Sequence, residues 1–211
     1  MRLRDAVSRL LRVYGPDAPP SRDWFALVVL ENVAYLVDDA RRLSVFRALE
    51  RSIGLTPSAL LAADLGTLAS VIADGGMKPL MRAEKVRRCA EIAVEIGEQP
   101  ITRKLLQKFP GIGEPSADKI LLFCLGVPSV APDSNALRVL TRLGFVEEQR
   151  NHAATYRAAI EATRGELRGA SDAVAAHLAL RRHGQEVCKR TAPRCEVCVL
   201  REECAWYRRH A

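Results

Sequence analysis

Phe109-Pro110-Gly111-Ile112-Gly113-Glu114-Pro115-Ser116-Ala117 lies between two stretches with helical patterning, 101–108 and 116–126. Two glycines flanking one aliphatic residue make a turn that residues carrying side chains make only with difficulty. The helix that follows begins with backbone N–H groups lacking an intrahelical partner, and such groups can receive a phosphate oxygen. Taken alone, the segment also reads as a plain tight turn between two helices.

Working outward, the chain keeps the same character. Residues 3–14 place Leu3, Val7, Leu10, Leu11 and Tyr14 at helical spacing, and Gly15 to Pro20 then breaks the chain. Residues 23–38 read as one nearly all-apolar, and therefore buried, helix. Helical stretches follow at 42–52, 57–62, 64–73 and 82–96, and beyond the turn at 134–143, 152–163 and 170–183, with Gly and Pro between them. No segment alternates with the period of two that marks a half-buried strand. Ala, Leu and Arg are abundant while aromatics make up only 5%, a composition that loses little on entering helices. The fold class is all-α.

The 211 residues carry a formal net charge of +7 and a sequence pI of about 9.3. A basic surplus suits a polyanionic partner, because Lys and Arg release counterions from phosphates; it also describes an Arg-rich solvated surface. No apolar run approaches the ~20 residues of a membrane span, and Met1 to Pro20 lacks the apolar core and cleavage site of a signal peptide. The expectation is a cytoplasmic protein with no membrane partner. Disulfides are rare in that compartment, so clustered cysteines point to a metal site.

Four of the six cysteines, Cys188, Cys195, Cys198 and Cys204, fall in the last 24 residues with spacing C-x6-C-x2-C-x5-C. Four thiolates on a short loop suit an Fe4S4 cube or a Zn ion. Only one pair has the CxxC spacing, whereas zinc ribbons usually pair two such knuckles. Spacing alone leaves both metals open. Cys89 and Cys124 sit in apolar helical contexts and read as small core residues.

The segment His183-Gly184-Gln185-Glu186-Val187-Cys188, followed by Pro193-Arg194-Cys195-Glu196-Val197-Cys198 and Cys204, resembles the C-terminal cluster motif of endonuclease III and its adenine-glycosylase relatives. Residues 109–117 resemble the helix-hairpin-helix of the same family, with its consensus L-P-G-V-G-x-x-T-A. The run Ala131-Pro132-Asp133-Ser134-Asn135-Ala136 follows at the family's separation. The resemblance covers nearly the whole chain, most weakly residues 1–50.

That resemblance implies a bilobed helix-hairpin-helix DNA glycosylase fold. One lobe, 22–128, would be a six-helix bundle containing the hairpin. The other would combine 1–21 with 129–211 and carry the Fe4S4 cluster on Cys188, Cys195, Cys198 and Cys204. It implies a base-excision-repair enzyme, acting as a monomer at the nucleoid, that flips a damaged or mispaired base out of double-stranded DNA. Gly111, Ile112, Gly113 and Ser116 of the hairpin would contact DNA, as would Lys189, Arg190 and Arg194 of the cysteine loop, with Met77 as an apolar wedge.

The family's catalytic aspartate matches Asp133, whose carboxylate can stabilise positive charge on the anomeric carbon and orient or deprotonate water. Asp133 also reads as the N-cap of the helix beginning at Ser134, and the two roles can coexist. Asn135 resembles the adenine-glycosylase branch. The family's Schiff-base lysine is missing: its place is taken by Pro115, and Lys119 stands one helical turn further on. Negatively charged Glu114 stands where a basic residue is common. The glutamine that probes the opposite strand is absent as well, the chain reading Leu30-Glu31-Asn32-Val33-Ala34-Tyr35 there, with Glu31, Asn32 and Tyr35 as polar groups available to a pocket or to packing. The expectation is a monofunctional glycosylase. The alternatives are a non-catalytic binder of damaged DNA and a bifunctional glycosylase/lyase using Lys119.

Overall fold

In a computed structural model the described residues, Met1–His210, form α1 (Leu3–Tyr14), α2 (Trp24–Asn32), α3 (Asp39–Ser52), α4 (Pro57–Ala62), α5 (Leu65–Val71), α6 (Pro79–Ile96), α7 (Arg103–Leu106), α8 (Glu114–Leu125), α9 (Ser134–Leu143), α10 (His152–Ala162), α11 (Ala170–Glu186) and α12 (Ala205–His210). Among these residues there is no strand. A single isolated bridge joins Tyr35 and Gly76. The chain divides into two compact units, one of Pro20–Cys124 and one of Met1–Pro19 with Leu125–Ala211.

In the Pro20–Cys124 unit the helices begin where side-chain acceptors meet free amides. Asp23 accepts from Ala26 N at the start of α2, Asp38 from Arg41 N at α3, Thr56 from Ala59 N at α4 and Asp64 from Thr67 N at α5. The unit's core is Leu27, Phe46, Leu49, Leu60, Leu68, Ile72, Leu106, Ile120 and Leu122, all buried.

Helix α2 is shorter than its apolar sequence predicts, ending at Asn32 instead of continuing to 38. Val33 and Ala34 are buried although they are not helical, so apolarity runs past the end of the helix. Tertiary partners end it: the Val33 carbonyl accepts from the buried Arg82 guanidinium, and Tyr35 N donates to Gly75 O at 2.8 Å. Leu36 then takes a left-handed φ of 55°, a conformation foreign to a right-handed helix.

In the second unit α1 presents Leu3, Ala6, Val7 and Leu10 to the core at i, i+3, i+4, i+7 spacing. They pack with Val130, Leu137, Val139 and Leu140 of the loop before α9 and of α9 itself, and with Ala176, Ala179 and Leu180 of α11. Complete burial of Leu3, Leu10, Leu140 and Leu180 stabilises the unit by about 2 kcal/mol per side chain. Leu200 is fully buried in the same cluster, with Cys188 and Cys198 packed against it, so the cysteine loop is seated on this core.

Candidate functional site

The hairpin is held from behind. Asn32 is 5% exposed. Its Nδ2 donates to Pro110 O at 2.9 Å and to Val28 O at 3.0 Å. Gly111 has φ 72°, and a Cβ there would stand 3.0 Å from Asn32 Oδ1, so both conformation and space require glycine. Gly113 differs from the expectation that the turn needs both glycines. It has no left-handed φ, and the nearest atom to a Cβ would be Pro115 Cδ at 3.9 Å. Gly113 is exposed, whereas the Ile112 side chain is buried and its N–H donates to Phe109 O at 3.2 Å. Ile112 therefore anchors the turn, and its side chain is not a surface contact. Arg103 of α7 offsets the hairpin's acidic groups, its Nε 2.6 Å from Asp118 and its Nη1 3.4 Å from Glu114.

One turn into α8, Lys119 Nζ lies 2.7 Å from Glu31 Oε1, and the Ser116 hydroxyl donates to Glu31 Oε2 at 2.9 Å. Burial opposes the charge on Glu31. The Lys119 charge, hydrogen bonds from Lys119 and Ser116, and the Arg42 charge together outweigh that and bring the carboxyl down to about 2. Of the polar groups in 31–35, Glu31 and Asn32 face inward partners, while the Tyr35 side chain is exposed.

Arg82, 3% exposed, donates to the carbonyls of Val33, Ile72, Ala73, Gly76 and Met77. A side chain at Gly75 would collide with Val33 O and Arg82 Nη1. This knot fixes the loop that presents Met77 at 58% exposure, beside the Tyr35–Gly76 bridge. Met77 is therefore a surface residue and not part of the core.

In the other unit Asp133 caps α9. Its Oδ1 accepts from Asn135 N at 3.0 Å and Ala136 N at 2.8 Å. Its Oδ2 meets Arg181 Nε at 2.9 Å and Asn135 Nδ2 at 3.4 Å. Both partners of the Arg181–Asp133 pair are about one-fifth exposed. The face of α11 that carries Arg181 also sets the loop before Asp133. His177 Nδ1 lies 2.9 Å from Ala131 O, and α11 passes so close to α9 at Gly184 that a Cβ there would stand 2.6 Å from Asn135 O.

The four loop cysteines line one cavity of about 300 Å³ together with Arg142, Pro193 and Trp206. No disulfide joins them. Among the described residues no three or more Cys, His, Asp or Glu side chains are gathered where they could hold a single metal ion. Burial pushes the Cys198 thiol up to about 11. Arg142 Nη1 stands 3.4 Å from Cys188 Sγ, and the guanidinium stacks on Trp206 with its centre 4.8 Å from the ring centroid. Lys189, Arg190 and Arg194 are exposed. Arg190 also edges an open groove of about 1260 Å³ lined by Ser134, Arg138, Arg142, Arg150 and Trp206.

No family model matches the chain. The endonuclease III of Treponema pallidum is 28% identical over 212 residues, 97% of this chain and 98% of the relative. That of Thermotoga maritima is 30% identical over 159 residues, 73% of this chain and 70% of the relative. The chain belongs to the endonuclease III family. Solved structures show the endonuclease III fold independently. A trapped endonuclease III–DNA covalent intermediate superposes with TM-score 0.79 at 22% identity, covering 98% of this chain and 96% of that one. A thermostable thymine-DNA glycosylase superposes with TM-score 0.79 at 20% identity, covering 98% and 97%.

Within this endonuclease III frame, several groups around the site escape sequence reasoning. Arg181 carries no local signal, being one arginine among many. The Glu31–Lys119 contact joins residues 88 apart, and only burial distinguishes Arg82 from its neighbours. A faint signal existed for Asn32, an amide inside a nearly all-apolar stretch.

Proposed function

We propose that this member of the endonuclease III family is a monofunctional DNA glycosylase: it hydrolyses the N-glycosidic bond of a damaged or mispaired base in double-stranded DNA and leaves the abasic strand intact. The observation that carries this reading is the fate of the two amine positions. Pro115 stands where the family's Schiff-base lysine belongs, and Lys119 is engaged as the cation of a part-buried pair with Glu31. An ammonium donating its hydrogens to a carboxylate has no lone pair to offer the sugar.

Asp133 is the catalytic carboxylate in this reading. It faces positive charge developing at the anomeric carbon and orients the attacking water. Two backbone amides on Oδ1 and Arg181 on Oδ2 hold it ready, so no reorganisation is needed when charge appears. Gly111 and Ile112 shape the hairpin turn. Exposed Gly113 leaves room for a phosphate to approach the backbone, and Ser116 braces the start of α8. Lys189, Arg190 and Arg194 supply the sequence-independent attraction to the DNA backbone, and Met77 supplies an apolar wedge.

Cys188, Cys195, Cys198 and Cys204 hold an Fe4S4 cluster in this reading. A zinc ion draws four thiolates to within ~2.3 Å of one point, whereas a cube gives each thiolate its own iron. All four thiols edge one cavity, and four thiolates around a common space are the ligand set that such a cube takes. The cluster, when bound, cross-links the loop and so fixes Lys189, Arg190 and Arg194 in place.

The test is single-turnover base release by the purified, cluster-loaded protein on duplexes that each carry one damaged or mispaired base. Release from at least one of them, with strand breakage only after alkali, is the expected outcome. Tight and selective binding to one lesion with no release from any would replace this reading with a non-catalytic damage binder.

A further inference from the structure

Behind Cys198 a hydrogen-bond chain runs from the cysteine loop to the first helix. Tyr14 closes α1, and its hydroxyl lies 2.9 Å from His183 Nδ1. The other ring nitrogen, Nε2, lies 3.4 Å from Cys198 Sγ. His183 is 2% exposed, on the buried face of α11. Its own carbonyl accepts from Val187 N and Cys188 N, so the residue ties together the first and third cysteines of the motif. Tyr14 is held in turn by Arg182, whose guanidinium centre lies 4.9 Å from the Tyr14 ring centroid.

We infer that Tyr14 and His183 form a relay that fixes the imidazole tautomer and presents an N–H to the Cys198 sulfur, making His183 a positioning residue for the cluster ligand and Tyr14 the residue that positions His183. This rests on the reading of the four cysteines as cluster ligands. The chemistry is constrained at each link. The Tyr14 hydroxyl has one hydrogen, and Nδ1 of a neutral imidazole accepts it. The ring's single N–H then stands on Nε2, facing sulfur. The opposite tautomer would set the Nε2 lone pair against a thiolate, which is repulsive.

Partners that orient ligands and hydrogen-bond to cluster sulfurs set both metal retention and reduction potential. An N–H on Cys198 draws electron density from the sulfur, easing reduction of the cluster, and it holds the thiolate in place against exchange. Arg142 stands at a comparable distance from Cys188 and does not involve the relay, so it provides a donor that every variant below retains.

The experiment compares wild type with Tyr14→Phe, His183→Leu and His183→Gln, all isolated with their metal. The readouts are the midpoint potential of the protein-bound cluster by voltammetry and the rate of iron release to a chelator. Tyr14→Phe keeps the ring and its packing, so it tests the relay even where His183→Leu disturbs the fold. Both should lower the potential and release iron about ten-fold faster, the lower end of the range for lost outer-shell partners. His183→Gln carries an amide N–H that needs no tautomer partner and should recover most of both properties. Wild-type potential and wild-type iron release in both Tyr14→Phe and His183→Leu overturn the relay while leaving the cofactor reading intact. A wild-type protein without a four-iron cluster overturns the cofactor reading and this inference with it.

Discussion

Lys119 Nζ donates to Glu31 Oε1 at 2.7 Å while Ser116 occupies the other carboxylate oxygen at 2.9 Å. The amine one helical turn beyond the family's lysine position is therefore committed to a structural pair. Borohydride treatment during turnover should trap no covalent protein–DNA adduct, and the product should be an intact abasic strand. Denaturing gels with and without alkali make this visible. A trapped adduct in wild type that disappears in Lys119→Ala would establish a lyase instead.

The same pair makes an acid-stability prediction. The Glu31 carboxyl titrates at about 2 in the folded protein, below its ordinary value of 4.5. Its stabilising contribution is therefore complete above the ordinary value and is lost as pH falls from about 4.5 toward about 2. Glu31→Gln should destabilise the Pro20–Cys124 unit by about 1–3 kcal/mol near neutrality, because part-buried Lys119 loses its counter-charge. The difference between wild type and variant in urea unfolding should shrink through that acid window. A difference that stays constant with pH would show that the pair adds no charge-dependent stability.

Asp133→Asn separates capping from catalysis. Asn caps a helix about as well as Asp, so Asn135 N and Ala136 N keep their acceptor and α9 should persist by circular dichroism. The negative charge is lost, and base release should fall by roughly 100-fold or more. Unimpaired release would leave Asp133 as the α9 cap and the partner of Arg181 alone.

The two hairpin glycines should respond differently. Gly111→Ala places a side chain at φ 72° and 3.0 Å from Asn32 Oδ1, and should cost about 1–3 kcal/mol of stability. Gly113→Val adds a Cβ whose nearest neighbour is Pro115 Cδ at 3.9 Å, so it should cost less stability than Gly111→Ala while weakening DNA binding. Equal loss of stability in the two variants would contradict the hairpin geometry described above.

Neutralising Lys189, Arg190 and Arg194 together should flatten the log–log dependence of duplex affinity on salt, by about 0.9 for each phosphate that the loop no longer neutralises. All three side chains are exposed, so the fold should be untouched. An unaltered slope would remove this loop from the DNA-binding surface.

Replacing Cys198 with Ser should yield a protein that has lost its yellow-brown colour and its complement of about four irons, with a destabilised C-terminal unit, since cluster binding and folding are coupled. A colourless wild type containing stoichiometric zinc would refute the cluster assignment.

The sequence by itself determined what depends on neighbours a few residues apart. Apolar spacing in 3–14 marks α1, Asp133 before Ser134 marks the start of α9, and four crowded cysteines mark one loop whose thiols edge a common cavity. Each of these rests on interactions within about one helical turn or one loop, where chain geometry limits the options. Only the tertiary structure decided where α2 stops. The residues after Asn32 are as apolar as those before it, and a carbonyl captured by Arg82, 49 positions away, ends the helix. The same holds for Glu31 with Lys119, Arg181 with Asp133 and Tyr14 with His183, pairs separated by 88, 48 and 169 positions. A charged or polar side chain carries no periodicity that names its partner. Burial makes the partner obligatory, and burial is a property of the assembled core.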